Sequence, residues 1–502
     1  MQSLLFFVIV TPLIGVVIVY GLSYLDEKLV NITATLVSGI TFLLTIFLYS
    51  AVMQGRHIEM IWPIECIAGL FSFRADALGV FMALVSSFIW TLSSWYAIEY
   101  FSRDKHRTRF QCFSLFSLFG IMGIVLSGNM INLFFFFENM TILSFLLIIH
   151  DETPFSLAAG SKYLVIGVSS GIILLMAILA TKKITGTFDF ANGGLSALRA
   201  SPYFALIFWG YIMGFAVKVG MFPFHIWRPY AYPAAPCPAA ALLSAVMAKA
   251  GAFGVIKAVY AIFGAGNINT ALTGKFLLIL SLITIIFGSG LAIAQKEIKR
   301  MLAYSSMSQI GYIILGIILL SGKGLSGAMY HIMAHALGKT ILFLCAGAII
   351  YKTGIREIKE MKGLGQRMPL TMFCFSLAAL SMVGFPPFVG FVSKWILGVG
   401  ALQAASSGII SQSTGIIIIG VLMLSSLLTI VYYGPIVMDA WFGSNPQHPY
   451  DHHPLPEKTI ERCDPSWIMM SPIVILIIGM IVFAIYSDWP LRLIGLAVQQ
   501  IF

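Results

Sequence analysis

The chain has 502 residues, of which 59% are hydrophobic and only 10% are charged. Soluble domains contain about 25% charged residues, so this composition excludes an ordinary soluble protein and indicates a polytopic helical membrane protein. The formal net charge of +10 does not indicate a nucleic-acid partner, because five lysines lie inside apolar segments and most other basic residues lie in short loops. Six scattered cysteines without a Cys-x-x-Cys pair argue against a disulfide framework, a zinc site or an iron–sulfur site on this chain.

Apolar segments of about 20 residues, the length that crosses a bilayer, recur along the whole chain. The first of them lacks the basic start and the cleavage motif of a signal peptide, so we interpret it as a transmembrane helix. The sequence predicts an all-α polytopic membrane protein with about fourteen transmembrane helices. These helices lie near residues 3–22, 31–53, 76–98, 110–127, 130–149, 161–181, 203–222, 238–262, 273–294, 303–320, 326–350, 370–402, 415–441 and 468–487.

Basic residues cluster in three of the predicted loops, those between helices 3 and 4, 9 and 10, and 11 and 12. The cluster members are Arg103, Lys105, Arg107, Arg109, Lys296, Lys299, Arg300, Lys352, Arg356, Lys359, Lys362 and Arg367. All three loops fall on one side of the membrane if the helix count is right. An excess of Lys and Arg identifies that side as the cytoplasm. We therefore expect a multi-pass protein of the prokaryotic cytoplasmic membrane with both termini outside.

Two predicted helices contain helix breakers at membrane depth. Gly220-Met-Phe-Pro223 interrupts helix 7 near Lys218, and Gly384-Phe-Pro-Pro387 interrupts helix 12 near Lys394. A packing kink would explain either break alone, whereas a matched pair indicates two inverted repeats with a transport site between them. This interpretation divides the chain into helices 1–3 (1–109), a first inverted five-helix repeat (110–264), a second one (265–442), and a loop with the C-terminal helix (443–502).

Helix 11 contains three ionisable residues, His331, His335 and Lys339, at positions i, i+4 and i+8. On a helix they lie along one face, each about 5–6 Å from the next. Ionisable side chains at membrane depth are costly and normally mark ion pathways. Two imidazoles followed by a lysine suggest a proton relay. The alternative is a buried polar patch that only ties helices together.

Other charged residues also lie inside apolar helices, beginning with Glu138 in helix 5 and Lys218 in helix 7. We predict that these two are partners, either in a switchable pair or in a structural salt bridge. Lys218 would keep its proton while an ionised Glu138 is close, and release it when Glu138 moves away, because burial disfavours the charged ammonium group. Lys257, near the outer end of helix 8, is expected to snorkel to the interface. A proton could then cross the membrane midplane through Lys249, His331, His335, Lys339 and Lys394.

At these residues the chain resembles the antiporter-like subunits of respiratory complex I, of energy-converting membrane hydrogenases and of the Mrp cation/proton antiporters. The matching stretches are Phe137-Glu138, Lys218–Trp227, Ala248-Lys249, Gln295–Ser306, Gln309–Gly311, His331–Lys339 and Gly384–Lys394. The resemblance implies that Glu138 and Lys218 form the controlling pair of a first half-channel. It also implies that Lys249, Lys339 and the histidines form a central axis, and that Lys394 lies on the exit side of a second half-channel.

One stretch departs from the family. After His225-Ile-Trp227 the family usually continues Leu-Pro-Asp-Ala-His, whereas this chain reads Arg228-Pro-Tyr-Ala-Tyr232. An aspartate and a histidine on the proton-uptake side are therefore missing, and a positive charge is added. We take His225, Arg228, Tyr230 and Tyr232 as the candidate proton-uptake region.

The resemblance implies a proton-translocating membrane subunit of a redox-driven complex, complex I-like or membrane-bound hydrogenase-like. Its partners would be other membrane subunits, through them peripheral redox subunits, and the lipid bilayer. We expect no cofactor or metal on this chain, and iron–sulfur, flavin or nickel centres only in partner subunits. The alternatives are a D-type subunit of a Mrp-like Na⁺/H⁺ antiporter and a structural subunit that has lost pumping. The loop histidines His448, His452 and His453 are expected to be solvated rather than to bind a metal.

Overall fold

The computed structural model describes residues 2–61, 71–270, 272–443 and 462–502. Within these ranges the chain is almost entirely helical, with one antiparallel hairpin of strands β1, Ile58–Ile61, and β2, Ser72–Ala75. We call the side of the helix bundle where this hairpin lies the hairpin end. The loop histidines His448, His452 and His453 lie outside the described residues.

The α-helices of the described ranges vary from single turns to more than eight turns. They are α1 Gln2–Leu22, α2 Glu27–Met53, α3 Ala77–Tyr100, α4 Arg107–Val125, α5 Met130–Ile148, α6 Pro154–Thr185, α7 Ser196–Arg199, α8 Phe204–Val219, α9 Arg228–Ala234, α10 Cys237–Leu242, α11 Ala248–Ile256, α12 Ala265–Thr270, α13 Leu272–Ile293, α14 Ile298–Ile318, α15 Gly322–Thr353, α16 Leu364–Arg367, α17 Pro369–Val383, α18 Val389–Ser406, α19 Gln412–Phe442, α20 Trp467–Ile485 and α21 Asp488–Ile501. Two π-helical segments, Leu243–Met247 and Lys257–Phe263, flank α11, and a 3₁₀ turn covers Ile358–Met361.

Thirteen helical spans in the described part of the chain are long and apolar enough to cross a membrane. One of them, Cys237–Phe263, joins α10, α11 and both π-helical segments. The shorter α8 and α17 are also apolar. Counting α8 as a crossing of its own, and α17 together with α18 as one broken crossing, gives the fourteen predicted helices. The prediction of an all-α polytopic membrane protein is confirmed.

The three basic loops lie together at the end of the bundle opposite the hairpin. A backbone bridge pairs Glu297 with Glu357, so the loop before α14 contacts the loop after α15. The segment before α20 contacts Glu99 near the end of α3 and Thr371 at the start of α17. The prediction that these loops share one side is therefore confirmed. Lys299 is an exception, because it belongs to α14 and is only 4% exposed.

The interior of the bundle is built around two spans, Cys237–Phe263 and α15, whose most apolar stretches are 100% buried. The neighbouring α14 is 94% buried over the same kind of stretch, whereas α1 and α2 reach only 39%. A helix that is apolar on every side packs in a protein interior. The ionisable residues within these buried stretches therefore face other helices and not lipid.

Side-chain caps fix where several crossings begin, because the first N–H groups of a helix lack partners inside it. Asp76 caps α3, Asn129 caps α5 and Ser321 caps α15. Thr153 caps α6 and is followed by Pro154 at the first helical position. This cap starts α6 ahead of the predicted residue 161.

The β-hairpin and helix α21 are among the described elements that have no counterpart in the sequence-based prediction. The β-hairpin has strands of only four residues, too short for their alternating burial to be distinctive. Helix α21 has fourteen residues, which is shorter than the length of about 20 used to find crossings. It packs against α3 and α15 through Leu493, Ile494 and Ala497.

Candidate functional site

His331, His335 and Lys339 lie buried on one face of α15, as predicted. The imidazole rings of His331 and His335 are nearly parallel, with centroids 6.3 Å apart. His331 Nδ1 lies 2.9 Å from Ser393 Oγ. Within the described parts of the chain, His331 Nε2 and both ring nitrogens of His335 have no hydrogen-bond partner. Buried polar atoms normally have a partner, so these three nitrogens are where a water molecule or a transferred proton fits.

The Lys339 ammonium group is surrounded by neutral oxygen atoms from α14 and α19. It donates to Ser305 Oγ, to the Tyr433 hydroxyl over 3.1 Å, and to the Leu302 carbonyl over 3.2 Å. Ser305 Oγ and the Tyr433 hydroxyl are themselves 3.0 Å apart. These dipoles replace water around the charge. They also connect Lys339 to hydroxyl groups that can pass a proton on.

Lys249 lies in α11, directly after the first π-helical segment. Its ammonium group donates to the Ser244 carbonyl, and Ser244 Oγ lies 2.9 Å from Ser306 Oγ of α14. π-Helical insertions free backbone carbonyls from the regular pattern and are frequent at functional sites. Helix α10 and the π-helical segment before Lys249 pack directly on α15, so the span that contains Lys249 contacts the helix of His335.

Glu138 and Lys218 do not form the direct ion pair that the sequence predicts. Lys218 Nζ donates to Thr141 Oγ1 over 3.1 Å and to the Tyr163 hydroxyl. The Glu138 carboxylate lies instead against Gly171 of α6, where an added Cβ would collide with it. Two neutral hydroxyl groups have taken the place expected for the carboxylate.

The break in helix 7 follows α8 at Gly220, whose φ of +68° favours glycine. Arg228 is buried, and its guanidinium group folds back to donate to the Val219 carbonyl at the end of α8. The Trp227 indole donates to the Val217 carbonyl over 2.7 Å. Free carbonyl groups give a helix end a partial negative charge. Arg228 therefore neutralises the helix end that the break exposes.

The break in helix 12 has the same construction. Helix α17 ends at Gly384, whose φ is +93°. Lys394 of α18 folds back under this glycine and donates to the Met382 carbonyl over 3.0 Å and the Val383 carbonyl over 2.7 Å. The Lys394 ammonium also lies 5.2 Å from the centre of the Tyr312 ring.

Arg228 at the first break therefore takes the position that Lys394 takes at the second, because both follow the break and fold back on the preceding helix end. Lys218 lies before its break. Tyr312 also stacks on His331, with centroids 5.2 Å apart. Lys394 is therefore joined to the α15 histidines through Tyr312 and through its neighbour Ser393. The sequence grouped Lys218 and Lys394 because spacing alone does not show which cation folds back.

The candidate proton-uptake region separates into an exposed part and a buried part. Tyr230 is 40% exposed, and the ammonium group of Lys162 lies 3.8 Å from the centre of its ring. His225 is half-buried and stacks on Phe222, with centroids 5.8 Å apart. Arg228 and Tyr232 are buried.

The Tyr232 hydroxyl donates to the Leu243 carbonyl over 3.5 Å, next to the Ser244 carbonyl that binds Lys249. The Tyr232 ring lies against Trp227, which in turn lies against Tyr163, the partner of Lys218. Tyr232 therefore lies between the surroundings of Lys218 and Lys249. It is not on the surface where uptake would begin.

The expectation that Lys257 snorkels to the interface is wrong. It is 8% exposed, and its ammonium group lies 2.6 Å from Asp76 Oδ2, the cap of α3. Lys299, expected in a loop, is buried and donates to the Pro233 carbonyl over 2.8 Å and the Ala235 carbonyl over 2.6 Å. It thereby fixes α9 next to the start of α14. Both lysines bind partners that are distant in the sequence.

Sequence reasoning missed the neutral residues that surround the buried charges. These residues are Thr141, Tyr163, Ser244, Ser305, Ser306, Tyr312, Ser393, Ser426 and Tyr433. Polar side chains inside otherwise apolar helices are the signal that could have found them. Serine and threonine also bond to their own helix backbone, as Thr141 does, so the signal is weak for each residue alone.

Comparison with known proteins places these features in one family. Residues 127–420 match the family described as "NADH:quinone oxidoreductase/Mrp antiporter, TM". The chain is 34% identical to the N subunit of the NADH-quinone oxidoreductase of Desulforudis audaxviator, over 72% of this chain and 71% of that protein. It is 32% identical to the D-type subunit of the Na⁺/H⁺ antiporter of Alkalihalophilus pseudofirmus, over 72% of both proteins.

A solved structure shares the fold over the whole chain. The membrane-bound sulfane sulfur reductase, an archaeal respiratory membrane complex, contains a chain that superposes with a TM-score of 0.85. The match covers 100% of this chain and 98% of that one at 24% identity. The relatives are subunits of multisubunit membrane complexes. The chain belongs to the NADH:quinone oxidoreductase/Mrp antiporter transmembrane family, whose members are membrane-bound ion-translocating subunits.

Proposed function

We propose that this chain translocates protons as a membrane subunit of a redox-driven, energy-converting complex of the complex I or membrane-bound hydrogenase type. One observation supports this proposal most. Lys249, His331, His335 and Lys339 lie in the fully buried stretches of the two central spans, and Lys394 adjoins them through Tyr312. Ionisable residues aligned inside a membrane protein are a proton relay in pumps and transporters.

Glu138 and Lys218 control entry of the proton into this row. With Glu138 away from Lys218, as in the present arrangement, the ammonium group depends on Thr141 and Tyr163 alone. Movement of the carboxylate toward Lys218 stabilises its proton, and withdrawal favours release toward Lys249. Water completes the path at the unpartnered nitrogens of His331 and His335.

The proton leaves through Lys394 at the second broken helix. Its ammonium group also donates to Ser426 Oγ over 3.0 Å. Broken helices tolerate freed carbonyls only beside protein or water, so both breaks are suited to hydrated ends of the path. In this scheme helices 4–8 and 9–13 are inverted repeats, each with one break.

The redox chemistry belongs to other subunits. Iron–sulfur, flavin or nickel centres lie in peripheral partners, which this chain contacts through other membrane subunits. The complex lies in a prokaryotic cytoplasmic membrane, and both termini of the chain face outside because the three basic loops share the other side.

A second candidate function is the D-type subunit of a Mrp-like Na⁺/H⁺ antiporter, without a redox partner. The similarity to the antiporter protein of Alkalihalophilus pseudofirmus favours it and covers as much of the chain as the similarity to the oxidoreductase protein of Desulforudis audaxviator. The buried residues serve either function, because both need a proton path through the subunit.

The proton path is tested in the complete complex that contains this chain, reconstituted into vesicles. A potassium gradient with valinomycin imposes a membrane potential, and a pH-sensitive dye measures proton flux. We expect Glu138→Ala, Lys218→Ala and Lys339→Ala each to abolish flux while the complex still assembles. Lys323→Ala, which removes an exposed lysine at the start of α15, is the control and retains flux. Wild-type flux in the first three variants contradicts the proposal.

The partner question is tested on the same preparation by its subunit and metal content. Co-purification of subunits with iron–sulfur, flavin or nickel centres supports the redox-driven complex. Co-purification with only small membrane subunits, together with sodium-dependent proton flux, supports the antiporter instead.

A further inference from the structure

The hairpin end contains a polar cavity of about 460 Å³ between α2, α3, α21 and the end of the span Cys237–Phe263. Two ion pairs lie in its wall, Arg74 with Glu59 at 2.7 Å and Lys257 with Asp76 at 2.6 Å. Each acidic side chain of the wall is therefore neutralised by a neighbouring base. The cavity is not an unpaired acidic cluster that would attract a cation.

Two further bases line the same cavity, Arg56 and His57, directly after α2. Both are exposed, and among the described residues neither side chain has a hydrogen bond or ion pair. The remaining charge of the cavity is thus positive. An anion with several oxygen atoms, such as a phosphate group, fits this chemistry, because arginine binds phosphate through two parallel hydrogen bonds.

A second cavity, of about 250 Å³, continues the first toward the middle of the membrane. The two cavities share three walls, and on each wall their lining residues are one helical turn apart. The pairs are Val52 and Tyr49 on α2, Leu78 and Phe81 on α3, and Leu496 and Leu493 on α21. The lining of the second cavity is almost wholly apolar and includes Phe88, Met333 and Trp489.

The two cavities together match the depth of one leaflet of a bilayer. Their lining on α3 runs from Leu78 in the first cavity to Ile89 in the second, about 16 Å along the helix axis. Half of the hydrocarbon core measures about 15 Å. A free anion would use only the polar cavity, whereas a molecule with an anionic head and an acyl chain fills both.

We propose that α2, α3 and α21 form a binding site for one anionic phospholipid of the leaflet at the hairpin end. The phosphate group of this lipid lies beside Arg56 and His57 in the first cavity. One acyl chain lies in the second cavity, a groove lined by Phe81, Phe88 and Leu493. Helix α21, amphipathic and packed on α3, forms the outer wall of the site. The lipid joins the N-terminal helices to the C-terminal one.

The site is tested with phospholipids that contain a photoreactive diazirine in one acyl chain, added to the complete complex in detergent. Mass spectrometry then locates the cross-links. We expect photoreactive phosphatidylglycerol to label residues 81–89 and 489–493, about fivefold more than phosphatidylcholine does, since one arginine near the membrane surface favours an anionic lipid by about that factor. Unlabelled phosphatidylglycerol should compete, and inorganic phosphate should not.

Paired variants separate the head from the chain. Arg56→Gln combined with His57→Gln should lower labelling by phosphatidylglycerol to the level of phosphatidylcholine, whereas the control Lys323→Gln leaves it unchanged. Val85→Trp, which fills the groove, should abolish labelling by both lipids. Ile279→Trp, on the exposed face of α13, should not.

Equal labelling by both lipids in the wild type and in the Arg56/His57 variant overturns the proposal, because the groove would then hold lipid without recognising it. Competition by inorganic phosphate also overturns it, because the polar cavity would then be a site for free anions.

Discussion

At the scale of single residues, the notable feature is that neutral hydroxyl groups surround the buried cations. Lys218 depends on Thr141 and Tyr163, and Lys339 on Ser305 and Tyr433. Hydroxyl groups both donate and accept, so they stabilise the protonated amine and can still pass its proton. The hydroxyls set how firmly each lysine holds its proton.

This arrangement predicts a strong effect of Tyr163→Phe, which removes one hydroxyl and keeps the ring. A hydrogen bond to a charged group contributes about 1.5–3 kcal/mol, so the protonated state of Lys218 should be destabilised at least tenfold. We expect proton flux in reconstituted vesicles to fall by about the same factor while Glu138 and Lys218 are both intact.

Tyr211→Phe is the matched control. Tyr211, on α8, is buried like Tyr163. Its hydroxyl contacts Thr181 and Met130 and not Lys218. Its loss should leave flux near the wild-type rate. Equal losses in the two variants would mean that a missing hydroxyl harms packing and not the proton path.

The sequence could identify the buried charges but not their partners. Glu138, Lys218, Lys249, His331, His335, Lys339 and Lys394 stand out because a charge inside an apolar segment is rare. Several of their partners come from helices distant in the chain, as Tyr163 does for Lys218 and Tyr433 for Lys339. Contacts across such separations depend on how the helices pack, which no local pattern contains.

At the scale of the elements, both broken helices end in a left-handed glycine with a cation folded beneath it. At Gly220 the space is filled by the Arg228 side chain, and at Gly384 by Lys394. A Cβ on Gly220 would overlap Arg228 Nε and Cδ. Gly220→Ala should therefore displace the guanidinium group from the Val219 carbonyl, in addition to the backbone cost of about 1–2 kcal/mol for a left-handed alanine.

Gly186→Ala isolates the backbone cost. Gly186 ends α6 with a φ of +76°, and no other atom lies within 4 Å of a Cβ built there. We expect Gly186→Ala to lower the Tm of the purified complex slightly. Gly220→Ala should lower it further and reduce proton flux, because the displaced Arg228 no longer neutralises the end of α8, whose last turn contains Lys218. Equal shifts in Tm with normal flux would show that Arg228 adapts without consequence.

Elements were predictable where an apolar run was long, and not where tertiary contacts define them. The fourteen crossings follow from runs of about 20 apolar residues. The boundary of α6 moved because of its Thr153 cap. Lys299 was placed in a loop because basic residues usually mark loops, yet it donates to carbonyls of the segment around α9.

At the scale of the whole molecule, buried positive charges outnumber buried negative ones among the described residues of the bundle interior. Lys218, Arg228, Lys249 and Lys339 are each 4% exposed or less, whereas Glu138 is only partly buried. Like charges in a low-dielectric interior repel one another strongly. A proton added at one lysine therefore disfavours a proton at the next. In the proposed path, this coupling favours transfer of one proton at a time along the row.

The direction of transfer depends on which end of the bundle faces the cytoplasm. The basic loops share the end opposite the hairpin, so that end should be cytoplasmic. We predict that Ser407→Cys, at the hairpin end, reacts with a membrane-impermeant maleimide added to intact cells, and that Ser102→Cys, at the opposite end, reacts only after the membrane is opened. Both positions are exposed serines outside the crossings, and both changes are made in a chain whose six native cysteines are replaced by alanine. The reverse labelling pattern would show that the orientation is the opposite one. Tyr230 of the candidate proton-uptake region would then lie toward the outside.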